Sequence, residues 1–306
     1  MSKKMKKLIL IIVLGLGFAS CEDVIDVDLN EGTPQLTVDA VMSNSDENPH
    51  VKLSISGEYF DASSVSPVTD AELSLTDSDG NSYAFDSPDQ EGRYFLSDEL
   101  NNIVPGVTFK LTIDYNNSQY TAESTVRETP EIDSISWSRE DVPFGDIDSI
   151  WAVQFWARDL DGLGDAYWVR ATREGMVNTD PGKIVVAYDG STGRGSQTDG
   201  IPFILPIRAS ITPGGFAGPP SDEDPAEVGD EIGVQLYSIS LEFAEYLVIL
   251  REQLNNGGLF AETPANLPTN VFNQDDNGIQ ALGWFAVCKM HTESGIISWE
   301  KSNNRQ

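Results

Sequence analysis

Cysteine and histidine are scarce in this chain of 306 residues, which contains only Cys21, Cys288, His50 and His291. Most zinc sites, thiol catalysis and disulfide frameworks therefore lack the side chains that they require. A catalytic serine could be served only by His50 or His291, and each of these lies beside turn residues. The sequence also contains no GxSxG, HExxH or CxxC pattern. We therefore expect no enzyme and no resident cofactor.

Basic residues are also few, since 19 Lys and Arg stand against 49 Asp and Glu and the net charge is −30. Four of the lysines lie within residues 1–7, so a chain without residues 1–20 has a net charge of −34. Such a charge repels phosphate backbones, which argues against nucleic-acid binding and leaves a cation or a basic partner surface open. Pairs of carboxylates at the spacing used by glycosidases arise by chance on so acidic a surface. A carboxylate hydrolase is accordingly only a third possibility, which activity screens would test.

The N-terminus has the order of a secretory signal peptide over residues 1–20. Four lysines precede the apolar run Leu8–Phe18, and the small residues Ala19 and Ser20 follow it. The run has eleven residues, whereas a membrane-spanning helix needs roughly 20. The pattern therefore favours a cleaved signal over a transmembrane anchor.

The residues around Cys21 resemble a bacterial lipobox, in which the cysteine is acylated and becomes the new N-terminus. Phe18 departs from that pattern, which usually has Leu there. Several acyl chains anchor a protein stably, whereas one holds only marginally. Glu22 and Asp23 resemble the acidic surface-export signal of Bacteroidetes lipoproteins, which implies a lipid-anchored protein exposed at the surface of the outer membrane. The alternative is an ordinary signal peptide, with Cys21 there by coincidence or paired to Cys288.

Beyond a lipidated tether at residues 21–33, alternating apolar residues predict a mainly β protein. Seven short runs of period two, separated by turn residues, predict an immunoglobulin-like β-sandwich over residues 34–127. Residues 132–306 are expected to form a second β-rich domain. Its predicted strands include 184–188, 201–207, 232–239 and 284–290, the last paired in a hairpin with 296–299. One helix is expected at 241–255, capped by Ser240, with Phe243, Leu247, Leu250 and Leu254 on its apolar face.

The order of several segments is similar to a Bacteroidetes lipoprotein family catalogued as domain of unknown function four-two-four-nine. These segments are CEDVIDVDL, PQLTVDAVMSN, VTDAELSLTDSDGNSYAF, PGVTFKLTIDYNNSQYTAESTV and LPTNVFNQDDNGIQALGWFAV. The resemblance covers nearly the whole chain after Cys21. It implies a surface or outer-membrane lipoprotein encoded beside a TonB-dependent receptor, and it implies no catalytic residues.

Three carboxylates, Asp159, Asp161 and Asp165, lie on a short glycine-bearing loop between two predicted strands. Hard oxygen ligands of this kind suit Ca²⁺, although the loop lacks the length and the bidentate glutamate of an EF-hand. The competing interpretation is a solvated turn, because Asp-Gly tolerates positive φ. Calcium is therefore the one candidate metal.

The sequence thus predicts a non-enzymatic accessory or binding partner of a TonB-dependent nutrient transporter. The acidic segment Pro219–Glu231 is the candidate contact, because its charge would steer it toward a basic surface. The alternative is a free-standing module that binds glycan or protein as an adhesin.

Overall fold

Strands form most of the regular structure in this computed structural model, which describes residues 33–57, 65–142, 149–195, 198–214, 224–256 and 266–299. Within those ranges there are seventeen strands and one α-helix, α1 (Leu241–Leu254). The strands are β1 (Leu36–Ser43), β2 (His50–Ile55), β3 (Ser66–Pro67), β4 (Glu72–Asp77), β5 (Ser82–Tyr83), β6 (Arg93–Phe95), β7 (Thr108–Tyr115), β8 (Ser118–Thr125), β9 (Ile132–Asp141), β10 (Ser149–Ala157), β11 (Ala166–Arg173), β12 (Met176–Val177), β13 (Val185–Tyr188), β14 (Glu231–Ile239), β15 (Phe272–Asn273), β16 (Leu282–Cys288) and β17 (Met290–Ile296). The predicted mainly β fold with one helix is confirmed.

The first core lies between two five-stranded sheets. One sheet has the order β16-β1-β2-β3 with β6 beside β2, and the other has the order β15-β8-β7-β4-β5. Alternate residues of β1 and β7 point inward, so that Val38, Met42, Phe109, Leu111 and Ile113 are fully buried. This period-two pattern is the one that predicted the sandwich.

Two short pieces of the predicted second domain complete this first sandwich, which corrects the division into 34–127 and 132–306. Strand β16 pairs in parallel with β1, from Thr37 opposite Leu282 to Ser43 opposite Cys288, and β15 pairs with β8. The backbones of β1 and β16 approach so closely that a Cβ at Gly283 would lie 2.0 Å from the Val38 carbonyl oxygen. Periodicity identifies a strand but not its partner, so the sequence pattern did not predict that β15 and β16 pair with strands of the first sandwich.

The second core lies between the β9–β10 pair and a sheet of order β12-β11-β14-β17, in which β13 also pairs with β11. Strand β17 pairs with β14 and not with β16, so the predicted hairpin of 284–290 with 296–299 is wrong. The predicted strand 201–207 is also wrong. Only an isolated bridge at Pro202 and a 3₁₀ turn at Ile207–Ala209 occur there. Pro202 and Pro206 lack the N–H that a regular ladder needs, although the segment is apolar and partly buried.

Helix α1 closes the seam between the two sandwiches. Ser240 caps it by accepting a hydrogen bond from the Phe243 backbone N–H at 3.1 Å, as predicted. Phe243, Ala244 and Leu247 pack into a third core that includes Trp284 of β16 and Tyr237 of β14. No helix in the described ranges is long and apolar enough to cross a membrane.

Candidate functional site

An open apolar groove lies between α1, β13 and the segment that follows Phe203. It has a volume of about 930 Å³, which lies within the range of ~300–1,000 Å³ typical of small-molecule pockets. Val248 and Ile249 of α1 form one wall, and Leu205 and Ile207 form the opposite wall. The floor is supplied by β13 through Val185, Val186 and Tyr188. Apolar atoms dominate the lining, so the groove suits the apolar part of a ligand.

The wall made by residues 204–212 is held in place from several sides. Ile207 and Ile211 are buried in the second core. Thr212 Oγ1 accepts a hydrogen bond from the Val153 N–H at 3.0 Å and donates one to the Val153 carbonyl at 2.9 Å. The guanidinium of Arg208 lies 4.4 Å above the Trp156 ring, a cation–π contact. These contacts form the wall before any ligand arrives.

The helical wall is equally well anchored. The side of α1 that carries Phe243 and Leu247 is buried, while Val248 and Ile249 remain half-buried at the groove. Arg251 donates from Nη1 to the Ile184 carbonyl at 3.1 Å, which ties the C-terminal half of the helix to the strand below. This second apolar strip of α1 lies beside the apolar face that the spacing of Phe243 and Leu247 predicted.

Polar groups converge at one part of the groove, around Tyr188. Arg194 and Glu245 form an exposed ion pair at 2.7 Å, and these two residues and Arg251 act electrostatically on the Tyr188 phenol. Burial raises the pKa of Tyr188 above its usual value, so the hydroxyl stays protonated at neutral pH. Its side chain is only 7% exposed, and no described residue is hydrogen-bonded to the hydroxyl. Tyr188 therefore adds a neutral hydroxyl to the charged side chains that line the groove.

Four charged side chains of the described residues line the groove. Lys183, Arg194 and Arg251 line it, and Glu245 is the one carboxylate among the lining residues of the described chain. A continuation of about 700 Å³ shares Lys183, Ser210 and Thr212 with the groove. Arg173, Glu174 and Asp180 also line that continuation.

The aspartates of the candidate calcium loop bind other parts of the protein. Asp159 is buried and accepts hydrogen bonds from the Tyr167 hydroxyl at 2.7 Å and the Gly200 N–H at 3.2 Å. Asp189, which lies outside the predicted calcium loop, accepts the Gly164 and Asp165 N–H groups at 2.7 and 2.8 Å. These bonds join the 159–165 loop to residues 189–200.

Burial raises the pKa of Asp159 and of Asp165, and the neighbouring carboxylates raise the pKa of Asp165 further. In the described residues no group of three or more His, Cys, Asp or Glu side chains is arranged to hold a metal ion. The arrangement gives no support to a calcium site at Asp159, Asp161 and Asp165, and calcium binding there stays a prediction.

Thermal melts with and without calcium test that prediction. If millimolar Ca²⁺ saturated a site about 100-fold above its dissociation constant, it would stabilise the fold by roughly 2.7 kcal/mol. The melting temperature would then rise by several degrees, and Asp161→Asn would remove the rise. A wild-type melt that calcium does not shift would identify the loop as a hydrogen-bonded turn.

The acidic candidate contact, Pro219–Glu231, is described only from Asp224 onward. Arg173 holds this part, donating to the Asp224 carbonyl at 2.8 Å and to the Asp230 carboxylate at 2.5 Å. Glu231 begins β14 opposite Ile296, the last residue of β17. Because β17 begins just beyond Lys289, the segment lies at the end of the second sheet that is remote from the first sandwich.

The predicted lipidation and export residues, Cys21, Glu22 and Asp23, lie outside the described residues. The chain enters the described fold at Pro34, beside the start of β1 and thus at the opposite end of the β1–β16 ladder from Lys289. Cys288 is buried with 3% exposure, and burial raises the pKa of its thiol to about 12. A thiol of this kind reacts slowly, since the thiolate is the reactive form.

The fold and groove together define a mainly β protein with two sandwich cores, sealed by one helix, and a surface groove of ligand size. Within that class, the chain belongs to the family described as Domain of unknown function (DUF4249), whose model matches residues 22–294. The recognised family is thus confirmed. No curated protein matches the chain significantly.

Proposed function

We propose that this protein is a lipid-anchored lipoprotein of the outer membrane, exposed at the cell surface, that acts without covalent chemistry as an accessory of a TonB-dependent nutrient transporter. The observation that carries the proposal is the lipobox-like Cys21 with its acidic pair, Glu22 and Asp23, in a chain of this family. The scarcity of histidine and cysteine supports contact rather than catalysis.

The position of the tether supports this arrangement. An extended tether of residues 21–33 reaches at most roughly 45 Å and joins the fold at the start of β1. The acidic segment at Asp224–Glu231 lies at the far end of the second sheet, beyond the opposite end of β1. Anchoring through Cys21 therefore leaves this segment to meet a partner away from the attachment point.

The charge of the acidic segment predicts which kind of partner surface it contacts. Asp230 is already paired with Arg173, whereas Asp224 and Glu227 are exposed. Exposed carboxylates accelerate the encounter with a basic surface, and salt weakens that attraction because the Debye length is only about 8 Å at physiological ionic strength. The acidic segment thus predicts a partner interaction that is sensitive to salt.

Affinity isolation from native outer membranes tests the proposal. The anchored wild-type protein, extracted in mild detergent, is expected to recover a TonB-dependent receptor. Neutralising four acids of the segment (Asp222→Asn, Glu223→Gln, Asp224→Asn and Glu227→Gln) should lower that recovery several-fold, and raised salt should do the same. Asp230 is left intact so that its pair with Arg173 survives.

A matched control changes the same number of charges elsewhere. Asp98, Glu99, Asp275 and Asp276 are exposed residues of the first sandwich and its connections, and their neutralisation should leave recovery unchanged. Equal losses of receptor recovery in both variants would mean that the effect depends on the net charge of the protein and not on the acidic segment. Repeated failure to recover any such receptor would contradict the proposal.

One observation favours the alternative of a free-standing glycan- or protein-binding module. Trp299 is 65% exposed, lies edge-on to Trp151 at 5.0 Å and has the Arg139 guanidinium 5.5 Å from its ring. Sugar rings stack on exposed aromatic faces of this kind. Binding of the purified protein to a glycan array, lost in Trp299→Ala, together with the absence of a co-purified receptor would establish this alternative instead.

A further inference from the structure

Three exposed apolar side chains are neighbours at the end of the second sandwich that is remote from the first. Ile296 is the last residue of β17, Val228 lies at the tip of the turn before β14, and Trp299 follows two residues after Ile297. The Gly229 N–H donates to the Ile297 carbonyl at 2.9 Å, which places the turn beside the end of β17. Val228, Ile296 and Trp299, which are 44%, 59% and 65% exposed, form the distal apolar patch. Exposed apolar residues are common singly, whereas a group of them rimmed by polar residues marks a contact surface.

Trp299, the largest side chain of this patch, is held in place by its neighbours. Its ring lies edge-on to Trp151 at 5.0 Å, and the Arg139 guanidinium is 5.5 Å from the Trp299 ring and 5.8 Å from the Trp151 ring. Trp137 donates from Nε1 to the Ser298 carbonyl at 2.9 Å, which fixes the backbone just before Trp299. A side chain that is already ordered loses little conformational entropy when a partner covers it. Tryptophan and arginine are also enriched among the side chains that dominate the energy of protein interfaces.

The carboxylates beside the distal apolar patch determine the charge of a partner that fits it. Val228 lies within the acidic segment, where Asp224 and Glu227 are exposed. Among the described residues, no basic side chain forms an ion pair with either of these carboxylates, because Arg173 is paired with Asp230. Charges of one sign across an interface exclude wrong partners, and opposite charges fix the orientation of the right one. The matching surface therefore combines apolar side chains with lysine or arginine.

We propose that the distal apolar patch and the acidic segment form one docking surface for the receptor. The receptor face that fits it has apolar side chains opposite Val228, Ile296 and Trp299, and lysine or arginine opposite Asp224 and Glu227. This inference rests on the proposed function and adds a second source of affinity to it. The carboxylates orient the encounter and are screened by salt, whereas the removal of apolar surface from water is not screened and sulfate strengthens it.

Two salts of equal ionic strength separate the apolar contribution from the electrostatic one. The anchored wild-type protein is isolated from native outer membranes in mild detergent, once in sodium chloride and once in sodium sulfate. Both salts screen charges, but sulfate is excluded from protein surfaces and favours apolar burial. Receptor recovery is expected to be several-fold higher in sulfate than in chloride. A contact made by charges alone predicts equal recovery in the two salts, and that result would overturn the proposal.

Variants assign the apolar contribution to the distal apolar patch. Trp299→Ala should lower receptor recovery about tenfold, the loss expected when one dominant interface side chain is truncated, and should remove the difference between the two salts. Ile296→Ser should lower recovery several-fold. Phe272→Ala and Ile279→Ser are the matched controls, because both side chains are half-exposed and lie outside the patch. They should recover the receptor as the wild type does.

A thermal melt of each variant separates docking from folding. If Trp299→Ala lowers the melting temperature because it uncovers Trp151, Ile296→Ser at the end of its strand decides the test. Full receptor recovery by both variants, from a wild type that recovers the receptor, would overturn this inference alone. A wild type that recovers no receptor would overturn the proposed function and this inference with it. Full recovery by Trp299→Ala together with loss of glycan-array binding would assign Trp299 to the glycan-binding alternative and contradict its place in the docking surface.

Discussion

Cys21→Ala is expected to abolish incorporation of an alkynyl fatty acid and to move the protein out of the membrane fraction. The reason is that acylation requires the thiol, and each buried methylene of an acyl chain contributes about 0.8 kcal/mol to membrane attachment. The measurement is metabolic labelling of the producing bacterium, followed by detection of the alkyne on the isolated protein and by fractionation.

Cys288→Ala is the matched control and should keep its full label, since the Cys288 side chain is buried in the third core. Undiminished label in Cys21→Ala would contradict lipidation. A double variant, Glu22→Ala with Asp23→Ala, separates anchoring from export: it should keep the label but become less accessible to external protease. Unchanged accessibility would mean that the acidic pair is merely part of the tether.

Phe243→Ala is expected to lower the free energy of unfolding by about 3–5 kcal/mol, the usual cost of removing a buried aromatic ring. Phe243 is 2% exposed. Its ring stacks on Trp284 at 5.5 Å and meets Trp168 edge-on at 6.1 Å, so its loss opens the seam between the two sandwiches. Thermal and urea unfolding measure the change, which should lower the melting temperature by roughly 10 °C for a chain of this size.

Leu254→Ala on the same helix is the control for Phe243→Ala. Leu254 is 56% exposed, so its truncation should change the free energy of unfolding by no more than about 0.5 kcal/mol. A loss below about 1 kcal/mol in Phe243→Ala would show that the helix does not hold the seam.

Local sequence patterns were sufficient to predict the helix and most strands, but they did not predict which strands pair with each other. Ser240 and the apolar spacing of α1 predicted the helix to within one residue of its observed end at Leu254. The predicted strand 232–239 corresponds to β14. In contrast, β16 joins β1 across more than 240 residues of sequence. Alternating burial looks the same whichever strand lies alongside, so a hairpin between neighbours in sequence was the wrong inference.

The groove was not predicted because it is assembled from three separate parts of the chain. Tyr188 and Arg194, the 204–212 segment and Val248–Arg251 become neighbours only after both walls are fixed. One signal in the sequence was available: α1 carries Val248 and Ile249 beside its predicted apolar face, which makes the apolar strip wider than one core contact requires. The aspartates were conspicuous in the sequence, yet Asp159 and Asp189 serve mainly to join two loops.

Site-specific photo-cross-linking in the producing bacterium tests the central claim most directly. A photoreactive residue replaces Val228, which is 44% exposed in the acidic segment, or Val104, which is 51% exposed in the first sandwich and serves as the control. The proposed contact predicts a covalent adduct with a TonB-dependent receptor from position 228 and none from position 104. If position 228 cross-links to no such receptor while the protein is fully anchored and surface-exposed, contact through this segment is contradicted.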